Sequence, residues 1–351
     1  MICQSIKREQ WVDKLKSKLL AVPYIHSVFT LPHELNGLCR ANQSIMYSLI
    51  MKVSWLTIKQ IGKSQGFTPG MTSVLHTFGS DLKYHIHVHA LVSYGGLTEE
   101  LEWKYPQTKN KLEKYRKICL IFRTIFLKEI EKVKSQLIYH SDIDSVLSVI
   151  SNTRWVVHST YPTMDTKIIE NYLARYINRI AISPSRLNYL KELQEVHIQY
   201  NDYKNQVALQ IAPKLIKVLH PQDAIQQILQ HNIPAYFQKS RSYGLHNSSS
   251  LLKQHIPITI KRNGQTIRTI MEIITQLMKL EKLKCTSCGG SKFTISSIKP
   301  NTYYYFNILL GVSIPSPPYI NSTYYINTSN VIFIYNIIPM DKSQKKHYIL
   351  I

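Results

Sequence analysis

Residues 71–92 read MTSVLHTFGSDLKYHIHVHALV, and the fold class turns on this stretch. It holds two strand-like runs, MTSVLHTF and KYHIHVHALV, around Gly79, Ser80 and Asp81, the small and turn-forming residues that a hairpin needs. In the second run, His85-Ile86-His87-Val88-His89 alternates strictly. Residues i, i+2 and i+4 of a strand share one face, so the three imidazoles project together while Ile86 and Val88 turn to the core. Imidazoles one pleat apart can hold one metal ion. The pattern also suits the solvated face of an amphipathic strand, but three histidines in register favour the metal. It names neither the ion nor the reaction, since His-x-His strands serve zinc hydrolases and iron oxygenases as readily as nucleases.

Nearer the N-terminus, YIHSVFTL (24–31) reads as a strand ended by Pro32, and residues 5–20 before it as a basic amphipathic helix with Trp11, Leu15 and Leu19 at four-residue spacing. A helix is predicted over about 40–62, before Gly66 and Pro69, and another, strongly basic, over 108–135. RWVVHST (154–160) reads as a strand and DTKIIENYLARYINRIA (165–181) as a helix. EVHIQY (195–200) and QVALQI (206–211) read as a second hairpin turning at Asn201 and Asp202. Strands and helices are interspersed without a regular βαβ repeat, which predicts an α+β domain built on an antiparallel sheet. From Asn301 to Met340 no residue is charged, and Tyr, Ile and Asn dominate. That tail (299–351) suits an extra hairpin or buried β segment, or an extension encoded by A/T-rich DNA, and no function is assigned to it.

Charge restricts the partner. Lys and Arg number 43 against 21 acidic residues in 351, a net charge of +22 with a pI near 9.6. Such an excess calls for a polyanion, and nucleic acid is the natural one because neutralised phosphates release counterions. No run reaches the roughly 18 apolar residues of a spanning helix, and the N-terminus lacks the apolar core of a signal peptide, so a cytoplasmic protein without a membrane partner is expected. Five scattered cysteines agree with a reducing compartment.

A second constellation lies in the helix over 165–181. Tyr172 and Tyr176 are one turn apart, so their phenols share a face about 6 Å apart along the axis. Arg175 and Arg179 lie beside them. Phenols next to guanidiniums suit attack on a phosphodiester, because Arg binds phosphate oxygens and cations favour the phenolate. In a chain with 23 tyrosines the same pair also reads as half-buried packing.

The blocks VPYIHSVFTLPHELNGL, LHTFG, HIHVHALVSYGGL, RWVV, YLARYINRIAISPSRL and RSYGL, in this order over roughly residues 10–246, resemble the insertion-sequence-91 family of two-tyrosine transposases. That family belongs to the HUH endonucleases, named for His-hydrophobic-His. The resemblance implies an antiparallel sheet flanked by helices, a metal-binding pair at His87 and His89, and nucleophiles at Tyr172 and Tyr176. It leaves His85 as a possible third ligand or auxiliary group, and His76, Arg175, Arg179 and Arg186 as DNA contacts. The implied cofactor is Mg²⁺ or Mn²⁺, and the implied partner is single-stranded or hairpin DNA at element ends, nicked and rejoined through 5′-phosphotyrosine links in rolling-circle transposition. A replication initiator with the same chemistry, or a non-catalytic DNA-binding remnant, are the other readings.

On this view residues 1–23 are a basic helix following a cysteine-rich zinc module of which only Cys3 is left, and 24–246 form the catalytic domain. Residues 247–298 then form a helical region, ahead of the irregular tail. Cys285 and Cys288 in that region resemble half a zinc ribbon. No second pair follows, so an unmetallated knuckle is favoured over a Zn²⁺ site.

Overall fold

The computed structural model describes residues 2–139, 142–165, 182, 184–202, 212–260 and 267–277, with four further strands between 294 and 350. It divides into two units, Trp11–Ile267 and a second made of Met1–Gln10 with Arg268–Ile351.

The larger unit is α+β, as expected. Helix α1 (Ile2–Lys16) leads through its second half into β1 (Tyr24–Thr30), then come α2 (Asn36–Ala41), α3 (Gln43–Ser64), β2 (Thr68–Phe78), β3 (Tyr84–Leu97) and the short β4 (Trp103–Lys104). Helices α4 (Tyr115–Glu131) and α5 (Ile143–Asn152) precede β5 (Val156–Ser159). The strands β6 (Leu187–Leu190), β7 (Glu195–Asn201) and β8 (Lys214–Leu219) follow, then α6 (Pro221–Leu229) and β9 (Ser240–Gly244). The main sheet runs β5-β1-β3-β2-β9, every pair antiparallel, with β4 on the end of β3. The hairpin read from residues 71–92 is therefore the middle of the sheet.

Alternation assigns the two faces. Ile86, Val88, Ala90 and Val92 of β3, Phe29 of β1, Leu75 of β2 and Val157 of β5 all point into one core, where α3 and α4 bury Ile50, Val53, Phe122 and Phe126. Burying such side chains stabilises by about 1.5–3 kcal/mol each. Across the other face, Trp11 through Val22 cover one end only, packing on Tyr24, Val74, Leu91 and Leu245. The opposite end of that face carries the histidines.

Three sequence expectations shift. The helix expected over 40–62 is two helices, because Asn42 (φ −130°, ψ 46°) breaks the run and its amide bonds Leu38 O and both backbone groups of Ile138. The helix expected over 108–135 starts only at Tyr115, after Asn110 in a left-handed conformation (φ 59°). Strand β7 has Lys214–Leu219 as its partner on one side and β6 on the other, while QVALQI lies outside the described residues.

In the smaller unit, α7 (Ile270–Leu277) opens with a reciprocal cap: Glu272 accepts from Thr269 N–H (2.6 Å), and Thr269 Oγ1 accepts from Glu272 N–H (3.2 Å). β10 (Thr294–Ser296) pairs with β13 (Tyr348–Leu350). β11 (Thr323–Thr328) and β12 (Val331–Asn336) form an antiparallel hairpin, so the described part of the uncharged tail is β structure.

Candidate metal centre

His87 and His89 stand on the central strand and His76 on its neighbour, directly opposite His87 in register. Antiparallel register puts opposite residues on the same face, so the β2–β3 pairing brings His76 to the pair. The ligating nitrogens of His76, His87 and His89 all lie within 4.8 Å of one another, and all three residues are buried. Ring centroids are 5.3 Å apart for His76 and His87, 5.1 Å for His76 and His89, and 4.8 Å for His87 and His89.

Hydrogen bonds select the nitrogen that two of the rings offer. His87 Nδ1 lies 2.9 Å from the His85 carbonyl. A carbonyl only accepts, so Nδ1 carries the proton and the neutral ring presents Nε2 as its lone-pair donor. His89 Nδ1 is 3.1 Å from Nε2 of His26 on β1, and the two rings lie nearly parallel at 13°. Holding His89 through Nδ1 likewise leaves Nε2 as its ligand atom.

Burial keeps the His87 ring, and that of His26 beside the group, neutral. Burial pulls His87 down to about 3, with the neighbouring His85 lowering it further and the bond to the His85 carbonyl opposing both. Burial, then His158 on β5, lowers His26 to about 4. Metal binding needs unprotonated imidazole, so no proton has to be displaced from His87 near neutral pH.

The donor set thus fits a divalent ion: three buried imidazoles, two of them oriented by bonds through the other nitrogen. Imidazole ligands suit transition ions better than Mg²⁺, which prefers oxygen and keeps its waters.

Of the other residues picked from the sequence, His85 is exposed on the same face, its ring 5.1 Å from that of His87. It stands beside the convergent group. His76, expected as a DNA contact, is inside it and only 3% exposed. Arg186 donates from Nε to Gln199 O (2.6 Å) and from Nη2 to Ser80 O, tying the turn at 184–186 to β7 and to the β2–β3 turn. Tyr172, Tyr176, Arg175, Arg179, Cys285 and Cys288 lie outside the described residues.

Sequence reasoning passed over His26. Its signal was a polar residue at an alternate position of YIHSVFTL, but only the pairing of β1 with β3 shows that Tyr24, His26, Val28 and Thr30 share the histidine face. The RSYGL block also acquires a reason. It forms β9 and delivers His246, fully buried, whose ring nitrogens meet Thr72 Oγ1 (3.0 Å) and the Tyr24 hydroxyl (3.3 Å).

Residues 70–253 match the family model Y2_Tnp, described as "Putative transposase", which is more than half of the chain. The chain belongs to the Y2_Tnp family. The span matched by Y2_Tnp takes in β2 from Gly70 together with β3, β5 and β9, and hence all three convergent histidines. Two curated relatives resemble the chain beyond it. The protein named "Putative transposase y4qJ" of Sinorhizobium fredii is 28% identical over 257 residues, 69% of this chain and 63% of its own length. The "Transposase for insertion sequence element IS801" of Pseudomonas savastanoi pv. phaseolicola is 23% identical over 317 residues, 87% of this chain and 75% of its own. The chain thus spans a little under two thirds of the Sinorhizobium protein. No solved structure matches it significantly. Among the described residues of this Y2_Tnp member, no helix is long and apolar enough to cross a membrane.

Proposed function

We propose that the chain is an insertion-sequence transposase that nicks and rejoins single-stranded DNA, with Tyr172 and Tyr176 as nucleophiles and His76, His87 and His89 as the metal ligands. The observation that carries this reading is the convergence of three buried imidazoles on the central strands of the sheet of a chain that belongs to the Y2_Tnp family. The relatives' names point the same way, and a net charge of +22 suits a phosphate backbone.

In the proposed chemistry a tyrosine oxygen attacks the scissile phosphorus. The new bond joins that oxygen to phosphorus, the bond from phosphorus to the 3′ oxygen breaks, and the phenolic proton ends on the departing 3′ hydroxyl through solvent. The 5′-phosphotyrosine keeps the bond energy, so attack by another 3′ hydroxyl rejoins the strand without ATP. A bound divalent ion supplies charge neutralisation at the phosphate, and the imidazole set favours Mn²⁺ over Mg²⁺ for that task. Arg175 and Arg179, next to the tyrosines in sequence, are the residues proposed to hold phosphate oxygens.

The test incubates the protein with Mn²⁺ and labelled single-stranded oligonucleotides from the flanks of its gene, then looks for a covalent adduct on a denaturing gel. The wild type should form one, whereas Tyr172→Phe with Tyr176→Phe, and separately His87→Ala with His89→Ala, should not. Adducts that persist in the double tyrosine variant overturn the nucleophile assignment. Wild type without adducts overturns the activity.

A further inference from the structure

A groove of about 500 Å³ lies between α4 and residues 153–155, away from the histidine centre. Tyr115, Arg116, Leu120 and Arg123 of α4 line one wall, the last three at helical spacing. Arg154 and Trp155 line the other. The opposite stripe of α4 (Ile118, Phe122, Phe126 and Ile130) is buried in the main core, so the basic stripe has a rigid backing. Trp155 is equally fixed. Its indole N–H donates to Ile150 O (2.9 Å), and its ring meets Phe122 and Phe126 with centroids 5.1 Å away.

Three guanidiniums share this groove, and among the described residues no carboxylate lines it. Arg123 donates to Ser151 O (2.9 Å), and among the described residues neither Arg116 nor Arg154 has an ion-pair partner. Glu113, just before α4, is bound by Lys117 at 2.8 Å. Like charges gathered without a counter-charge repel one another, and an anion seated between them reverses the sign of that interaction. Tyr115 and Leu120 are 41% and 51% exposed, which adds an aromatic ring and an apolar surface to the charge. Guanidiniums that grip phosphates beside an exposed ring on which a base can stack are what a single-stranded nucleic acid recognises.

Topology connects the groove to the centre. Trp155 leads directly into β5, the edge strand of the sheet, and Val156 and His158 pair with Thr30 and Val28, on the face that carries His87 and His89. Arg154 stands two residues before Val156, where β5 begins, at the edge of the sheet. We propose that the groove formed by Arg116, Arg123 and Arg154 with Tyr115 is a second holding site for single-stranded DNA, gripping its backbone outside the reacting nucleotides. This rests on the single-stranded substrate proposed above.

The test measures the affinity of the full chain for a fluorescent single strand of about a dozen nucleotides across a salt series, in chelator so that no cleavage intervenes. Losing three phosphate contacts should reduce the slope of log affinity against log salt by about 2. The variant is Arg116→Gln with Arg123→Gln and Arg154→Gln. Its control, Lys14→Gln with Lys191→Gln and Lys214→Gln, removes equal charge from exposed positions elsewhere and should change the slope by under about half a unit. Tyr115→Ala should weaken binding about tenfold at every salt concentration. Equal slope changes in the two triples overturn the groove, as does a mononucleotide that binds as tightly as the strand. If the arginine triple fails to fold, Arg116→Gln with Arg154→Gln leaves the Ser151 contact intact and should reduce the slope by about 1.4. An unchanged slope there also overturns the proposal. Because binding is read without chemistry, failure here is distinct from failure of the adduct assay.

Discussion

Acid should unfold this protein through its buried histidines, by an amount that follows from their surroundings. His26 and His87 are each 8% exposed, with pKa values lowered to about 4 and about 3 in the fold, against 6.5 for an ordinary histidine. Below pH 6.5 the unfolded chain binds protons that the folded rings refuse, so stability falls with acidification. Their contribution is complete above pH 6.5 and is lost progressively as pH drops towards 4 for His26 and 3 for His87. At pH 5 each ring has forfeited about 2 kcal/mol, from 1.36 kcal/mol per pH unit over about 1.5 units, so the pair has forfeited about 4. That is a large part of the roughly 5–15 kcal/mol that stabilises a typical domain. The assay is urea unfolding followed by tryptophan fluorescence at pH 7.5, 6 and 5, in chelator so that metal does not mask the titration. His231, whose pKa is also lowered by burial, adds to the wild-type slope, so the decisive quantity is the difference between variants. His87→Gln should recover about 2 kcal/mol of the loss between pH 7.5 and 5, and His26→Gln a similar amount. If either variant keeps the full wild-type pH dependence, that ring is not held neutral by burial and the reasoning fails.

Three other outcomes follow from the centre and its frame. His76→Ala should abolish the rise in melting temperature produced by Mn²⁺ as completely as His89→Ala does, while His85→Ala retains it; the reverse pattern in a thermal-shift titration would restore His85 as the third ligand. His26→Ala should weaken Mn²⁺ binding about 10- to 100-fold by calorimetry while the chain stays folded, because His89 loses the partner on its Nδ1, and affinity equal to wild type would remove His26 from the centre. Gly244→Ala should cost about 1–3 kcal/mol in urea unfolding, since φ is +55° and an added Cβ would sit 2.1 Å from Pro69 O, so a neutral result would mean that β9 does not dock as described.

The alternation in residues 71–92 sufficed to predict a hairpin, its turn near Asp81 and a shared face for His85, His87 and His89, because strand periodicity is a property of the local backbone. Interspersed strands and helices likewise sufficed for an α+β class, and the ordered motif blocks for the family. Helix limits were less legible. Nothing local distinguishes Asn42 as a break from Asn42 as a helical residue until Ile138, far away in sequence, comes to bond it. Which histidines converge was decided only in three dimensions. His76 is nine residues before His85 and resembles any polar strand position, but antiparallel register sets it opposite His87. His85 has the right parity and still misses the group, because it lies at the exposed end of the strand. His26 reaches His89 only because β1, distant in sequence, inserts beside β3. Periodicity along a chain specifies which face a side chain takes, whereas strand order and register specify which side chains meet there, and those depend on the burial of the whole core.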